Sequence, residues 1–413
     1  MSTNARTYTV EVFRMGAMVT HMSGSLIQKG VRQGRAVIDP VTRMARAPWR
    51  WTYQQKIPAT WPSGVYLAKV SGAAGAQSYA PFVVRSMKPS RYLFVSNTLD
   101  YAAYNKWGGS SLYWTEVGYP APGVKQATAV SLDRPLAAQS GAGEIFMMEA
   151  PFIAWLERRH LDVTYTTDYD LSVSPGDQPL PRAVIFSGHS EYWGAPLREW
   201  LDDHVMAKGD MNLGVFAADT GYWLVGFSGW STTGPRTIGL HKNSKRDPAA
   251  RARCPNGLTE HANAFRSWPC GVADPDRNWP EQALLGVQYG SVVPGYYPFR
   301  LTSAVPAALL AGTGLQAGDS LGRIAGGEVD RVYHGVPTLK GDRLFATATT
   351  KTRAGRSLAA EAVLRTLPSG GRVFSAGTFW WGWGLERSFA KSHAVPKGFA
   401  RLTVNLLDFL AGR

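Results

Sequence analysis

The chain has 413 residues, too many for one small core and the length of two or three ordinary domains. Hydrophobic residues at 45% and charged residues at 18% exclude a disordered chain, and no run of about 18 apolar residues is available to span a membrane. The formal charge of +14 raises nucleic-acid binding, but arginine is spread along the chain and the densest basic stretch, Lys242 to Arg253, also holds Asp247 and Pro248; a basic surface with no nucleic-acid partner is expected.

The first residues, Met1 to Arg6, lack the apolar core of a signal sequence, so the chain reads as cytoplasmic as written, or exported if a leader has been removed. Up to about Met87 it reads as short strands. Tyr8 to Phe13 and Gly64 to Val70 alternate apolar and polar residues, Tyr79 to Val84 is rich in β formers, and Gly, Pro and Ser clusters separate them. An Ig-like antiparallel sandwich over residues 1–88 follows from that pattern.

Past Lys88 the chain alternates strand and helix. The strands are Tyr92 to Val95, Val163 to Tyr165, Ala183 to Phe186 and Leu213 to Ala217; the helices are Pro151 to His160 and Leu197 to Ala207. Residues 89–413 are therefore expected to form a mostly parallel three-layer α/β domain. A Gly-, Pro- and Trp-rich stretch at about 226–318 reads as a loop-rich excursion. Regular elements return with strands at Arg343 to Ala348 and Arg372 to Ser375 and end with a helix over Ala400 to Leu410. The two cysteines, Cys254 and Cys270, lie in the excursion at a spacing that could close a disulfide, whereas zinc with His261 would find only three ligands.

In an open parallel sheet the ligand site lies beyond the carboxyl ends of the strands. Four polar or aromatic strand endings should meet there: Ser96-Asn97-Thr98, Ser187 to Trp193, Ala218 to Trp223, and Gly377 to Trp381. Within the second, His189 and Glu191 are two residues apart and would share a face of an extended chain. The imidazole can serve as acid, base or ligand and the carboxylate can ligate a hard metal. Ser187 and Ser190 follow a strand but lack the Gly-x-Ser-x-Gly elbow of a serine nucleophile.

At these residues the sequence resembles the large (β) subunit of N,N-dimethylformamidase and its relatives. The marks run in order along the chain: Trp61-Pro-Ser-Gly-Val-Tyr66, Pro81-Phe-Val-Val84, Ala103-Tyr-Asn-Lys-Trp-Gly-Gly109, Asp133-Arg-Pro135, Trp155-Leu-Glu157, Gly188-His-Ser-Glu-Tyr-Trp193, Pro280 to Gly286, Gly327-Glu-Val-Asp330 and Phe379 to Leu385. The resemblance implies an amide hydrolase with a mononuclear Fe(3+) site held by two tyrosines and a glutamate. It assigns the glutamate to Glu191, the catalytic histidine to His189 and the catalytic glutamate to Glu328. For the tyrosines it points to Tyr66 and Tyr104, with Tyr113 as the substitute. Asn97, Asp219 and Lys242 are expected to contact substrate or the residues that do.

Three departures from the family pattern stand out: Ser190 replaces an acidic residue, Asp219 replaces an asparagine, and the chain stops soon after its last helix. A small-subunit partner is therefore not expected; a homo-oligomer stays open, and the substrate is a small-molecule amide. Competing readings make Tyr66 a packing residue between the domains and Glu328 a partner of Arg323 or Arg331. The alternative function is a non-catalytic carbohydrate- or peptide-binding protein with a degenerate site, its rings at Phe379 to Trp381 stacking on ligand. The α/β domain also resembles class I glutamine-amidotransferase-like domains, but both cysteines lie in the excursion and not at a strand–helix turn, so that chemistry is set aside.

Overall fold

The computed structural model describes residues 1–24, 26–113, 125–254, 263–267, 279–336 and 338–412. At the N-terminus β1 (Thr7–Met15) lies between β2 (Thr20–Gly24) and β4 (Gly64–Ser71), β5 (Gln77–Val84) pairs β4, and β3 (Gln28–Lys29) pairs the start of β1; all contacts are antiparallel. The alternation read from Tyr8 onward is a burial pattern: Tyr8, Val10 and Val12 are buried while their neighbours are not.

The remainder is organised on one nine-stranded sheet. Its strands in chain order are β6 (Tyr92–Ser96), β7 (Val163–Thr167), β8 (Ala183–His189), β9 (Asn212–Ala218), β10 (Gln288–Leu301), β11 (Ser320–Arg331), β12 (Asp342–Lys351), β13 (Ser357–Thr366) and β14 (Arg372–Ser375). In space they run β7-β6-β8-β9-β14-β13-β12-β10-β11. The first five are parallel and the last four antiparallel, so the expected parallel sheet accounts for one half only.

The parallel half has helices on both faces, as period-two strands buried on both sides require. Ile185 of β8 joins Phe94, Phe216 and Phe374 under α2 (Ala150–Arg158) and α4 (Phe399–Leu410). Val184 and Phe186, its neighbours in sequence, face the opposite cluster with Leu197 and Leu201 of α3 (Ala195–Leu201). Past Leu201 the helix continues as π-helical turns over Asp202–Lys208 and stops at Gly209 with φ +67°.

The antiparallel half is where sequence pattern misled. The stretch at 226–318 holds the hairpin Gly226–Ser231/Gly234–Gly239 and the 14-residue strand β10. Pro294 and Pro298 hid that strand. They are accommodated because register shifts interrupt its pairing with β11 and because β12 pairs with only Arg300 and Leu301. Cys254 is buried and disulfide-bonded, and Cys270 and His261 lie outside the described residues. No helix among the described residues is long and apolar enough to cross a membrane.

One ion pair ties the N-terminal sheet to the large one. Arg14 of β1 donates through Nη1 to Glu157 Oε2 (3.0 Å) and through Nη2 to Glu157 Oε1 (2.5 Å) on α2, and Tyr165 of β7 donates to the same carboxylate at 2.9 Å. Gly16 and Gly64 flank the guanidinium; a Cβ on Gly64 would stand 2.6 Å from Arg14 Nε. Removing the carboxylate would leave a largely buried cation without its partner. Glu157→Ala is therefore expected to destabilise the protein by about 2–4 kcal/mol in chemical denaturation. A loss below about 0.5 kcal/mol would mean that the junction is held by its other links, among them Arg85 with Asp170 and Tyr165 N–H with Ser63 Oγ.

Candidate active site

The C-terminal ends of β6, β8, β9 and β14 meet at one edge, and each delivers a side chain. After β6, Asn97 donates through Nδ2 to Ser187 O of β8 at 2.8 Å, bracing two strand ends. It precedes α1 (Thr98–Tyr104), on which Asp100 and Tyr104 are four residues apart and share a face. β8 ends in His189, which the chain reaches through Gly188 at φ +77°; a Cβ there would lie 2.5 Å from Met148 O, so only glycine fits. β9 is followed by Asp219, whose φ of +49° is held by a hydrogen bond from its N–H to Asp330 Oδ1 at 2.8 Å. Past β14, the Phe379 ring sits 4.8 Å from the His189 ring. Glu328 arrives from β11, in register with Val292.

Around Glu191 the oxygens converge. Tyr104 donates to Glu191 Oε2 at 2.7 Å, Tyr113 donates to both carboxylate oxygens at 2.8 Å, and the two phenol oxygens are 2.7 Å apart. Tyr192 donates to Tyr113 at 2.6 Å, and Lys242 Nζ stands 3.4 Å from Glu191 Oε1 and 3.5 Å above the Tyr113 ring. Oxygens bound side by side on a small cation at about 2.0 Å lie about 2.8 Å apart, so this triangle has the dimensions of one face of an octahedral oxygen site. Its donors are all hard oxygens, suited to a hard cation.

Tyr66 is not part of it. Its ring is stacked between Trp61 and Phe82 in the N-terminal sheet and its hydroxyl donates to Pro62 O at 2.6 Å. Tyr66 thus lies apart from the oxygens around Glu191, and it is Tyr113 that stands beside Tyr104. Glu328 likewise faces His189, with no ion pair to Arg323 or Arg331.

His189 is surrounded by carboxyls. Asp100 Oδ1 and Glu144 Oε2 lie 3.5 and 3.9 Å from Nδ1; Glu191, Glu328 and Asp219 lie 3.5, 3.6 and 3.8 Å from Nε2. At those last distances Nε2 has no hydrogen-bond partner among the described residues. Burial alone would lower the imidazole pKa, but Asp100, Asp219, Glu144 and Glu328 outweigh it and raise it well above the usual value. Burial raises the pKa of Asp100, Asp219 and Glu328. Burial acts on Glu191 in the same direction, but Lys242, His189 and the two phenols reverse it and hold that carboxylate ionised. Carboxyl oxygens of Asp219 and Glu328 come within 4.8 Å of one another beside His189, close enough that ionising both is disfavoured. Asp100, His189 and Glu191, and separately His189, Asp219 and Glu328, bring potential metal-ligating atoms within 4.8 Å of one another.

Sequence reasoning did not single out Asp100, Glu144, Tyr192, Tyr222 or Tyr289. Asp100 had a usable signal, one helical turn before Tyr104 on α1. Ser190, expected to alter local charge, accepts a hydrogen bond from Trp193 Nε1 at 2.9 Å and is fully buried. A cleft of about 850 Å³ opens from the cluster, with Glu191, Asp219 and Glu328 at its inner end and Tyr296, Arg353 and Trp380 also lining it.

Among curated proteins no match is found. The model of the family described as N,N-dimethylformamidase beta subunit-like, C-terminal, matches residues 9–394, and the chain belongs to that family.

Proposed function

We propose that the protein is a metal-dependent hydrolase of linear carbon–nitrogen bonds of the amide or formamide type, with a mononuclear ferric site held by Tyr104, Tyr113 and Glu191. The observation that carries this reading is the triangle of three oxygens 2.7–2.8 Å apart at the inner end of an open cleft. The family name supplies the reaction class. In this reading residues 1–88 form an Ig-like sandwich and residues 89–413 the catalytic domain, related to the class I glutamine-amidotransferase-like fold.

A ferric ion, when bound, would polarise the amide carbonyl and acidify water beside it. The chain's own groups divide the proton transfers. Glu328, whose carboxyl burial makes more basic than an ordinary glutamate, takes a proton from the attacking water. His189, held charged, presents Nε2–H to the developing oxyanion or to the departing amine nitrogen. Asp100 steadies both partners, accepting from the Glu191 N–H at 3.0 Å while it faces His189 Nδ1. Lys242 offsets the charge on Glu191. A ring-stacking binder of carbohydrate or peptide would have no use for this buried set of acids, which weighs against that alternative.

Metal analysis with a visible spectrum tests the site directly. Glu191→Ala and Tyr113→Phe should each lower iron affinity at least about tenfold and weaken the tyrosinate-to-iron absorption. Tyr66→Phe should keep both. Iron retained in Glu191→Ala, or lost in Tyr66→Phe, would sink the ligand assignment. His189→Ala should keep its iron while amide turnover falls about 100- to 10,000-fold; undiminished turnover would reduce His189 to a structural residue.

A further inference from the structure

The cleft holds more than the reaction requires. At about 850 Å³ it lies in the range of about 300–1,000 Å³ that encloses drug-sized ligands, and a dialkyl formamide would leave most of it empty. Its shape follows from the antiparallel half of the sheet. Because β13 runs opposite to β14, the β12–β13 turn comes to the same edge as the ends of the parallel strands. That turn carries Arg353, an exposed residue that nonetheless lines the cleft. The opposing wall comes from β10.

Three features of the outer cleft point to a ligand. Its walls are apolar and aromatic, with Val292, Val293, Pro294 and Phe379 presenting hydrocarbon surface. Donors lie along them: the Tyr222 and Tyr289 rings, edge to face at 5.7 Å, have hydroxyls with no hydrogen bond among the described residues. Finally, two cations line the cleft and only one is engaged. Lys242 is held by Glu191, whereas Arg353 has no carboxylate partner among the described residues. Aromatic walls favour a flat ring, and an unpaired guanidinium favours a carboxylate.

We propose that the cleft takes an amide bearing an aromatic group and a carboxylate, the ring held by the β10 wall and the carboxylate by Arg353. This rests on the hydrolase reading above and names its substrate class. The reaction stays a simple hydrolysis: water adds across the carbon–nitrogen bond, the acyl carbon gains the hydroxyl, and the nitrogen leaves as an amine with the proton.

Calorimetric binding to the iron-loaded His189→Ala protein separates this inference from the reaction itself. The probes are N-formylphenylalanine, its neutral analogue N-formylphenethylamine, and N,N-dimethylformamide. The ring should tighten binding at least about tenfold over dimethylformamide, and the carboxylate a further fivefold or so. In the additional Arg353→Ala variant the two aromatic probes should bind about equally. Turnover of the same three compounds by the unmodified protein should follow the same order in kcat/KM. Equal binding of all three, or a carboxylate preference that survives Arg353→Ala, would overturn the assignment. The expected binding order without turnover of any probe would support the ligand class and overturn the hydrolase reading alone.

Discussion

Five carboxyls closing on one buried imidazole set the terms for the rest of this molecule. Taken out of water, that much negative charge is tolerable only if some of the acids keep their protons and the others are matched by cations. The protein supplies two cations, His189 and Lys242, and burial raises the pKa of Asp100, Asp219 and Glu328, which makes their ionisation harder. Glu191 is the exception. It is kept ionised although buried, and two phenols hydrogen-bond to it. A third cation at that carboxylate would have to displace phenolic protons that burial holds more tightly than usual, and to share Glu191 with Lys242.

The mixed sheet is the device that brings those groups together. A purely parallel sheet offers strand ends on one edge, and here they provide Asn97, His189 and Asp219. It cannot offer a residue from the middle of a strand that passes across the site. The antiparallel half does so: β11 carries Glu328 to His189 and Asp330 to the backbone of Asp219. Asp330, pushed up to about 8 by burial, remains a hydrogen-bonding group and adds little charge near neutral pH. The same half lines the outer cleft, so it contributes both Glu328 and part of the cleft wall.

The parallel half was largely legible in the sequence because its strands are uninterrupted apolar runs such as Ala183 to Phe186, and its helices carry a clear apolar stripe. The antiparallel half was not, because β10 mixes prolines, glycines and tyrosines in a way that reads as loop, and only its pairing with β11 makes it a strand. In the site, the residues near strand ends, His189, Glu191 and Asp219, were found by position. The tyrosines were not fixed in that way. Tyr66 lies in a motif as distinctive as the one around Tyr104, yet that motif, Trp61 to Tyr66, serves a stacked aromatic packing unit. Tyr113 lies in an irregular stretch after the short strand Ser110–Ser111, and no local pattern tells which way its hydroxyl points.

Asp219 shows how backbone and chemistry constrain a single position together. The chain turns there with φ +49°, a conformation that asparagine and aspartate adopt more readily than most side chains. Either residue would satisfy the backbone, but they differ in what they do to Glu328. An amide there would add no charge beside Glu328, whereas a carboxyl in the same place raises the pKa of Glu328 further by repulsion. With aspartate, the two carboxyls titrate as a coupled pair, and the first proton goes to the more basic of the two. The acid–base behaviour of Glu328 in this protein is thus set first by its own burial on β11 and next by Asp219, just past β9.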